Sequence, residues 1–305
     1  MKNDFLRRHP ALIKILFTNS SMLRFIMNQK RKSILCPNCG KLISTDELRC
    51  PYCDIRKPGS WRANNFLTRG LLHTDQLIKL VIYVNVGMYV ISLLFNPLLT
   101  NFSLNPLSFL SPDNKSLLLL GATGTYPVDR LDRWWTLLSA NYLHGGILHI
   151  LFNMFAFKQL APLVAREFGV SRMFIIYTAG GVIGFWISCL FGVLFTIGAS
   201  ASICALIGAM LFYGKSRGGV YGQAIYRQVV GWIIGLFLFG FIIPGINNWG
   251  HGGGILSGIL FGFILSYQEK KPERAVHKTI AVMCITVTVA VLGWAIASGV
   301  YYRFQ

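Results

Sequence analysis

Ser200 lies in Gly198-Ala-Ser-Ala-Ser-Ile-Cys204 and His251 in Asn248-Trp-Gly-His-Gly-Gly-Gly254, both inside long runs without Lys, Arg, Asp or Glu. A serine hydroxyl becomes a useful nucleophile when a base takes its proton, and histidine is the usual base near neutral pH. Neither run holds a carboxylate, so the pair would act as a dyad rather than a triad. Acyl transfer also needs donors for the developing oxyanion. A helix beginning at Ser200 would offer backbone N–H groups. His149 and Asn153, four residues apart, share one helix face and can donate toward a common point. His144, one turn earlier, is expected to shape the loop. A metalloprotease reading fails, because His144 and His149 are five apart with no intervening glutamate.

The elements that must position these groups carry small residues at every fourth place. Ser200, Cys204 and Gly208 make one stripe, with Ala201, Ala205 and Ala209 beside it. Gly250, Gly254, Gly258 and Gly262 make another. Helices with such faces pack with backbones nearly touching, a device suited to membranes. Composition agrees: 53% of the 305 residues are hydrophobic and 13% charged, against roughly 25% charged in soluble domains. The net charge of +18 suggests loop residues that set orientation rather than nucleic acid, and no nucleic-acid partner is expected. Of 29 Lys and Arg, 14 fall in residues 1–76.

The first span is expected from about Leu77 to Leu94 and the second from His144 to Leu163. Arg172 and Lys215 then bound 42 uncharged residues, enough for two spans at roughly 20 residues each. The third runs from Met173 to Leu194, placing Ser200 in the first turn of the fourth. Pro244-Gly245 separates spans five and six, which puts His251 in the first turn of the sixth. A seventh fills Thr279 to about Tyr301. Basic residues crowd the N-terminal region and alternate loops, so the N-terminus is expected in the cytosol and the C-terminus outside. Ser200 and His251 then share the outer side. The long connection from Asn96 to Arg133 is a candidate for membrane association.

Residues 1–32 form a basic segment, suited equally to an amphipathic helix on an anionic surface and to an ordered cytosolic extension. Cys36-Pro-Asn-Cys39 and Cys50-Pro-Tyr-Cys53 are two knuckles ten residues apart. Four thiolates so spaced suit tetrahedral Zn²⁺ and leave no open coordination position. Cys36, Cys39, Cys50 and Cys53 are therefore read as a structural, cytosolic zinc ribbon over 33–57 with an unknown partner. A linker spans 58–76, the membrane core 77–268, and a cytosolic loop with the seventh helix 269–305. Cys189, Cys204 and Cys284 read as small buried hydrophobes.

Gly198-Ala-Ser200, His251 with Gly254 and Gly258, and His144/His149/Asn153 resemble the motifs of the rhomboid intramembrane serine proteases, in the same order over residues 77–268. The resemblance implies an all-α polytopic membrane protein: a six-helix bundle plus a seventh C-terminal transmembrane helix, with the zinc ribbon in front. It implies Ser200 as nucleophile, His251 as general base, and His149 and Asn153 as oxyanion helpers. No cofactor is implied for catalysis. Expected substrates are transmembrane proteins cut near their outer ends, and the expected location is a bacterial inner membrane. The chain departs from the family pattern at Ala201 (usually glycine), which would crowd the oxyanion pocket. Cys204 replaces an aromatic that supports the histidine, and Thr136 follows Trp135 where arginine is usual. The alternative is a catalytically inactive rhomboid-like protein that binds membrane partners. The retained Ser200 and His251 favour the enzyme.

Overall fold

The computed structural model describes residues 33–36, 41–52, 57–59, 74–96, 110–243 and 245–303. The chain divides into two compact units, Met1–Arg69 and Gly70–Gln305. In the first, β1 (Ser33–Leu35) pairs antiparallel with β2 (Leu42–Ser44). Cys36, Ile43 and Cys50 form a small buried cluster beside Ile34. The expected amphipathic segment 1–32, Cys39 and Cys53 lie outside the described residues.

The second unit is helical: α1 (Thr74–Leu94), α2 (Asn114–Leu119), α3 (Thr136–Ser139), α4 (Ile147–Phe168), α5 (Val170–Leu190), α6 (Ser200–Arg217), α7 (Gly219–Ile242), α8 (Asn248–Leu265) and α9 (Ala275–Arg303). Its long helices correspond one for one to the seven expected spans. Five of them, α1, α4, α5, α7 and α9, are long and apolar enough to cross a membrane. The other two, α6 and α8, have 18 residues each. Hydroxyls, glycines and His251 dilute their hydropathy, and they form the most intimate helix pair in the unit.

Packing follows from residue size. Added to Gly254, a Cβ would strike the carbonyl of Ala201 and lie 2.9 Å from the Cβ of Cys204. At Gly258 it would strike the carbonyl of Ala205, and at Gly208 that of Ile255. The third member is α5: a Cβ on Gly184 would lie 3.0 Å from both Gly250 O and Gly254 N, and one on Gly180 would strike Ala205. Backbone therefore touches backbone along α5, α6 and α8. Outside this trio, α4 and α7 pack against α6, α1 against α4, and α9 against α5, α2 and α3. On α1, Leu77, Val81, Asn85, Met88 and Ser92 recur at helical spacing as its buried stripe.

The helices are tied at both ends. Between α5 and α6 the chain pairs with the long connection: Thr123 and Thr196 exchange N–H···O bonds of 3.1 and 2.7 Å, and Thr125 N–H donates to Val193 O at 2.9 Å. The connection is thus built into the end of the bundle at which α6 begins. At the opposite end the buried Arg172 guanidinium donates to the carbonyls of Lys271 and Pro272 (both 2.8 Å) and Ser266 (3.2 Å). Glu273 accepts from the Ser171 and Arg172 N–H groups at 2.9 and 3.2 Å, capping α5 and holding the lead into α9.

A methyl placed at Gly258 must push the α6 backbone away, and overpacking of this kind costs about 1–3 kcal/mol, occasionally more. Gly258→Ala should lower the melting temperature in detergent. Gly293→Ala on α9, whose Cβ would meet nothing within 4 Å, should be neutral or stabilising. Equal responses of the two variants would contradict this packing.

Candidate active site

Ser200 is the first residue of α6 and His251 lies in the first turn of α8. Contact of Ala201 with Gly254 registers the two helices, so both side chains sit at the same end of the pair, just beyond their first backbone contact. Among the described residues no hydrogen bond joins Ser200 to His251. Ser200 is only partly buried, and among the described residues its hydroxyl has no hydrogen-bond partner. His251 is 6% exposed, and its Nδ1 is buried with no partner among the described residues.

His149 arrives from the first turn of α4. Its Nε2 lies 2.7 Å, and Ser200 Oγ 3.8 Å, from the point a Cβ on Gly198 would occupy. With φ of +121°, Gly198 holds a conformation that suits glycine, and this bare backbone lets the imidazole approach the serine. The Gly145 N–H donates to His149 Nδ1 at 3.3 Å. In a neutral imidazole the accepting nitrogen carries no proton, so the proton resides on Nε2, facing Gly198. Asn153 is buried, and its Nδ2 donates to His149 O at 2.9 Å. One amide N–H remains for another acceptor. The first N–H groups of α6 lack partners within the helix, as at every helix start.

His144 is fully buried with neither ring nitrogen bonded, and packs edge-on to His149 at 5.1 Å between centroids. It thus backs the neighbouring imidazole.

The three departures from the family pattern have structural places. The methyl of Ala201 belongs to an apolar cluster with Val128, Leu137, Ala140, Phe185 and Cys189. Cys204, 1% exposed, packs on Gly254 one turn below His251. The hydroxyl of Thr136 donates to Arg133 O at 2.7 Å and meets that of Thr123 at 3.0 Å, anchoring the long connection.

Sequence reasoning missed two groups of structural residues. Ser202 Oγ donates to Asn141 Oδ1 at 2.8 Å, both being buried beneath Gly181 of α5. Asn247 caps α8 through Gly250 N–H at 2.9 Å and reaches Ser188 and Thr196. An Asn directly before a glycine-rich helix is an N-cap signal, but nothing local announces its other partners.

A multi-pass helical membrane protein, with a serine and two histidines gathered at one end of a small-residue helix bundle, is the class so defined. The Rhomboid domain model matches residues 131–268. RHOMBOID-like protein 4 of Arabidopsis thaliana is 31% identical over 207 residues, covering 62% of this chain and 52% of that protein. Rhomboid protease GluP of Bacillus subtilis is 32% identical over 148 residues, 48% of this chain and 29% of GluP. YdcA of the same bacterium, provisionally named a rhomboid protease, is 31% identical over 150 residues, 46% of this chain and 71% of YdcA. The chain belongs to the rhomboid family. It spans between half and two thirds of the length of RHOMBOID-like proteins 4, 6 and 7 of Arabidopsis thaliana.

The two serines of the α6 first turn should respond differently to truncation. Ser202→Ala strands the buried Asn141 carbonyl and should cost about 1–3 kcal/mol. Ser200→Ala removes no structural bond and should stay within about 0.5 kcal/mol. Thermal unfolding in detergent distinguishes them, and a larger loss for Ser200→Ala would make that hydroxyl structural.

Proposed function

We propose that the protein is an intramembrane serine endopeptidase acting on transmembrane proteins. The observation that carries this reading is the unengaged Ser200 hydroxyl beside His149, at the end of α6 where α8 brings His251. In the proposed reaction Nε2 of His251 takes the Ser200 proton as Oγ attacks a substrate carbonyl. The oxyanion is met by His149 Nε2–H, the spare Asn153 N–H and backbone N–H groups at the α6 start. His251 returns the proton to the departing amine, and a water then releases the acyl group from Ser200 by the same route.

Orientation is part of the proposal. The loop charges support a cytosolic N-terminus, a site opening on the outer side and a C-terminus outside. A bacterial inner membrane is the proposed location, although similar proteins occur in both a plant and a bacterium.

One observation favours the rival, an inactive rhomboid-like protein that binds membrane partners: no hydrogen bond joins Ser200 and His251 among the described residues. Catalytic contacts in unliganded sites are often long and tighten on binding substrate, so the enzyme remains the stronger reading. Cleavage of a single-span reporter in liposomes tests it. Ser200→Ala and His251→Ala should abolish cutting, while His149→Ala should lower kcat by about 10²–10³-fold, as expected for loss of an oxyanion donor. No cleavage by the unaltered protein, together with no Ser200-dependent labelling by a fluorophosphonate, would establish the rival.

A structural Zn²⁺ held by Cys36, Cys39, Cys50 and Cys53 completes the proposal. It is supported by the burial of Cys36 and Cys50, each 2% exposed, in one cluster beside the β1–β2 hairpin. The ion would staple a unit whose described residues bury one small apolar cluster. Metal analysis of the purified chain should find about one equivalent of zinc, lost in Cys50→Ser, as expected for a four-thiolate site. A metal-free folded chain would refute the site.

A further inference from the structure

We propose that Asn247 is the positioning residue for both members of the dyad, a role that rests on reading Ser200 and His251 as that dyad. Its backbone carbonyl accepts the His251 N–H at 3.1 Å. The side-chain Oδ1 accepts the Gly250 N–H at 2.9 Å, so one residue fixes the first turn of α8 twice. Nδ2 then donates to Ser188 Oγ at 2.7 Å and Thr196 Oγ1 at 3.0 Å. Ser188 is buried in the last turns of α5. Thr196 stands four residues before Ser200, in the segment paired with Thr123. Two residues on, Gly198 N–H is bonded to Ala140 O at 2.9 Å. One carboxamide therefore ties the base's helix to the segment that delivers the nucleophile and to a third element of the bundle.

This link is needed because, among the described residues, no side chain hydrogen-bonds the ring of the base. His251 Nδ1 is buried without a partner, and no carboxylate holds the ring as in a triad. Its direction depends on where the start of α8 is held. On its other flank α8 makes few contacts with α7. Phe191 and Trp249 stack at 3.7 Å, but that pair joins α8 to the end of α5 and not to the segment before Ser200. Gly250 belongs to the same device, since a Cβ there would lie 2.8 Å from Asn247 Nδ2.

A simple cap would need only an acceptor, which serine or aspartate also supplies. What singles out asparagine is the pair of N–H donors spanning two other elements. Capping and cross-linking can therefore be separated. Asn247→Ser keeps a capping oxygen but cannot reach Thr196, and Thr196→Val removes the acceptor while leaving the cap untouched.

The experiment uses the full chain in liposomes and measures reporter kcat and KM, melting temperature, and amide exchange over 193–200 and 248–254. Asn247→Ser should lower kcat by about tenfold, because small misplacements of catalytic groups are costly, with KM within about twofold. Thr196→Val should lower it about fivefold, the size of one hydrogen bond. In both variants exchange over 193–200 should rise while the α8 first turn stays protected. Ser202→Ala serves as comparator, since it destabilises the same helix without touching this link. Unchanged kcat in both variants, or a loss no larger than that of Ser202→Ala at matched melting temperature, would overturn the proposal. If the unaltered protein cuts nothing, exchange decides alone. Faster exchange over 193–200 in both variants would sustain the link while the protease reading falls, and unchanged exchange would overturn the link.

Discussion

The contact of α5, α6 and α8 through bare backbone is the constraint on which the rest depends. In lipid there is no hydrophobic gain from pressing two apolar helices together, so association relies on close van der Waals approach. Gly180, Gly184, Gly208, Gly254 and Gly258 permit an approach that any side chain would block. Because the contacting atoms are backbone, no rotamer can adjust the fit. The depth and rotation of each helix are set rigidly, and with them the places of Ser200 and His251. The outer helices need not be so tightly held. Most of the apolar window of α7 is unburied within the protein, as is most of that of α9.

A second constraint is the treatment of polar groups. Within a bilayer each unpaired N–H or C=O is costly, and irregular backbone survives only where protein satisfies it. The connection before α3 meets this demand by pairing with the chain between α5 and α6, and side-chain bonds from Thr123 to Thr136 and from Thr196 to Asn247 tie that seam to its neighbours. At the opposite end Arg172 gathers loop carbonyls around one buried cation. Burying that charge is tolerable because several acceptors share it.

Much of the arrangement was legible in the chain. Charge-free runs, small residues at every fourth place and basic alternate loops placed seven helices and put Ser200 and His251 in first turns. The observed helix starts at Ser200 and Asn248 agree. The small stripes also named the closest helix pair, because every fourth residue shares a helix face. What escaped was long-range pairing. Nothing near Thr123 announces Thr196, and nothing near Arg172 announces the carbonyls of residues 266–272. Nor does residue size alone show that Ala201 joins Phe185 and Cys189 in one apolar cluster, which depends on packing.

Ser200 and Ser202 show the division most clearly. Residue order was enough to show that two hydroxyls open an apolar, small-faced helix, that a histidine opens another, and that both belong in a membrane. It did so because composition and periodicity are local properties. Two residues along a helix differ by about 200° in direction, so the serines face different neighbours. It took the packed helices to show that Ser202 is bonded to Asn141 while Ser200 and His149 both lie close to Gly198. The physical reason is that a hydroxyl's role depends on which atoms other elements bring within hydrogen-bonding reach.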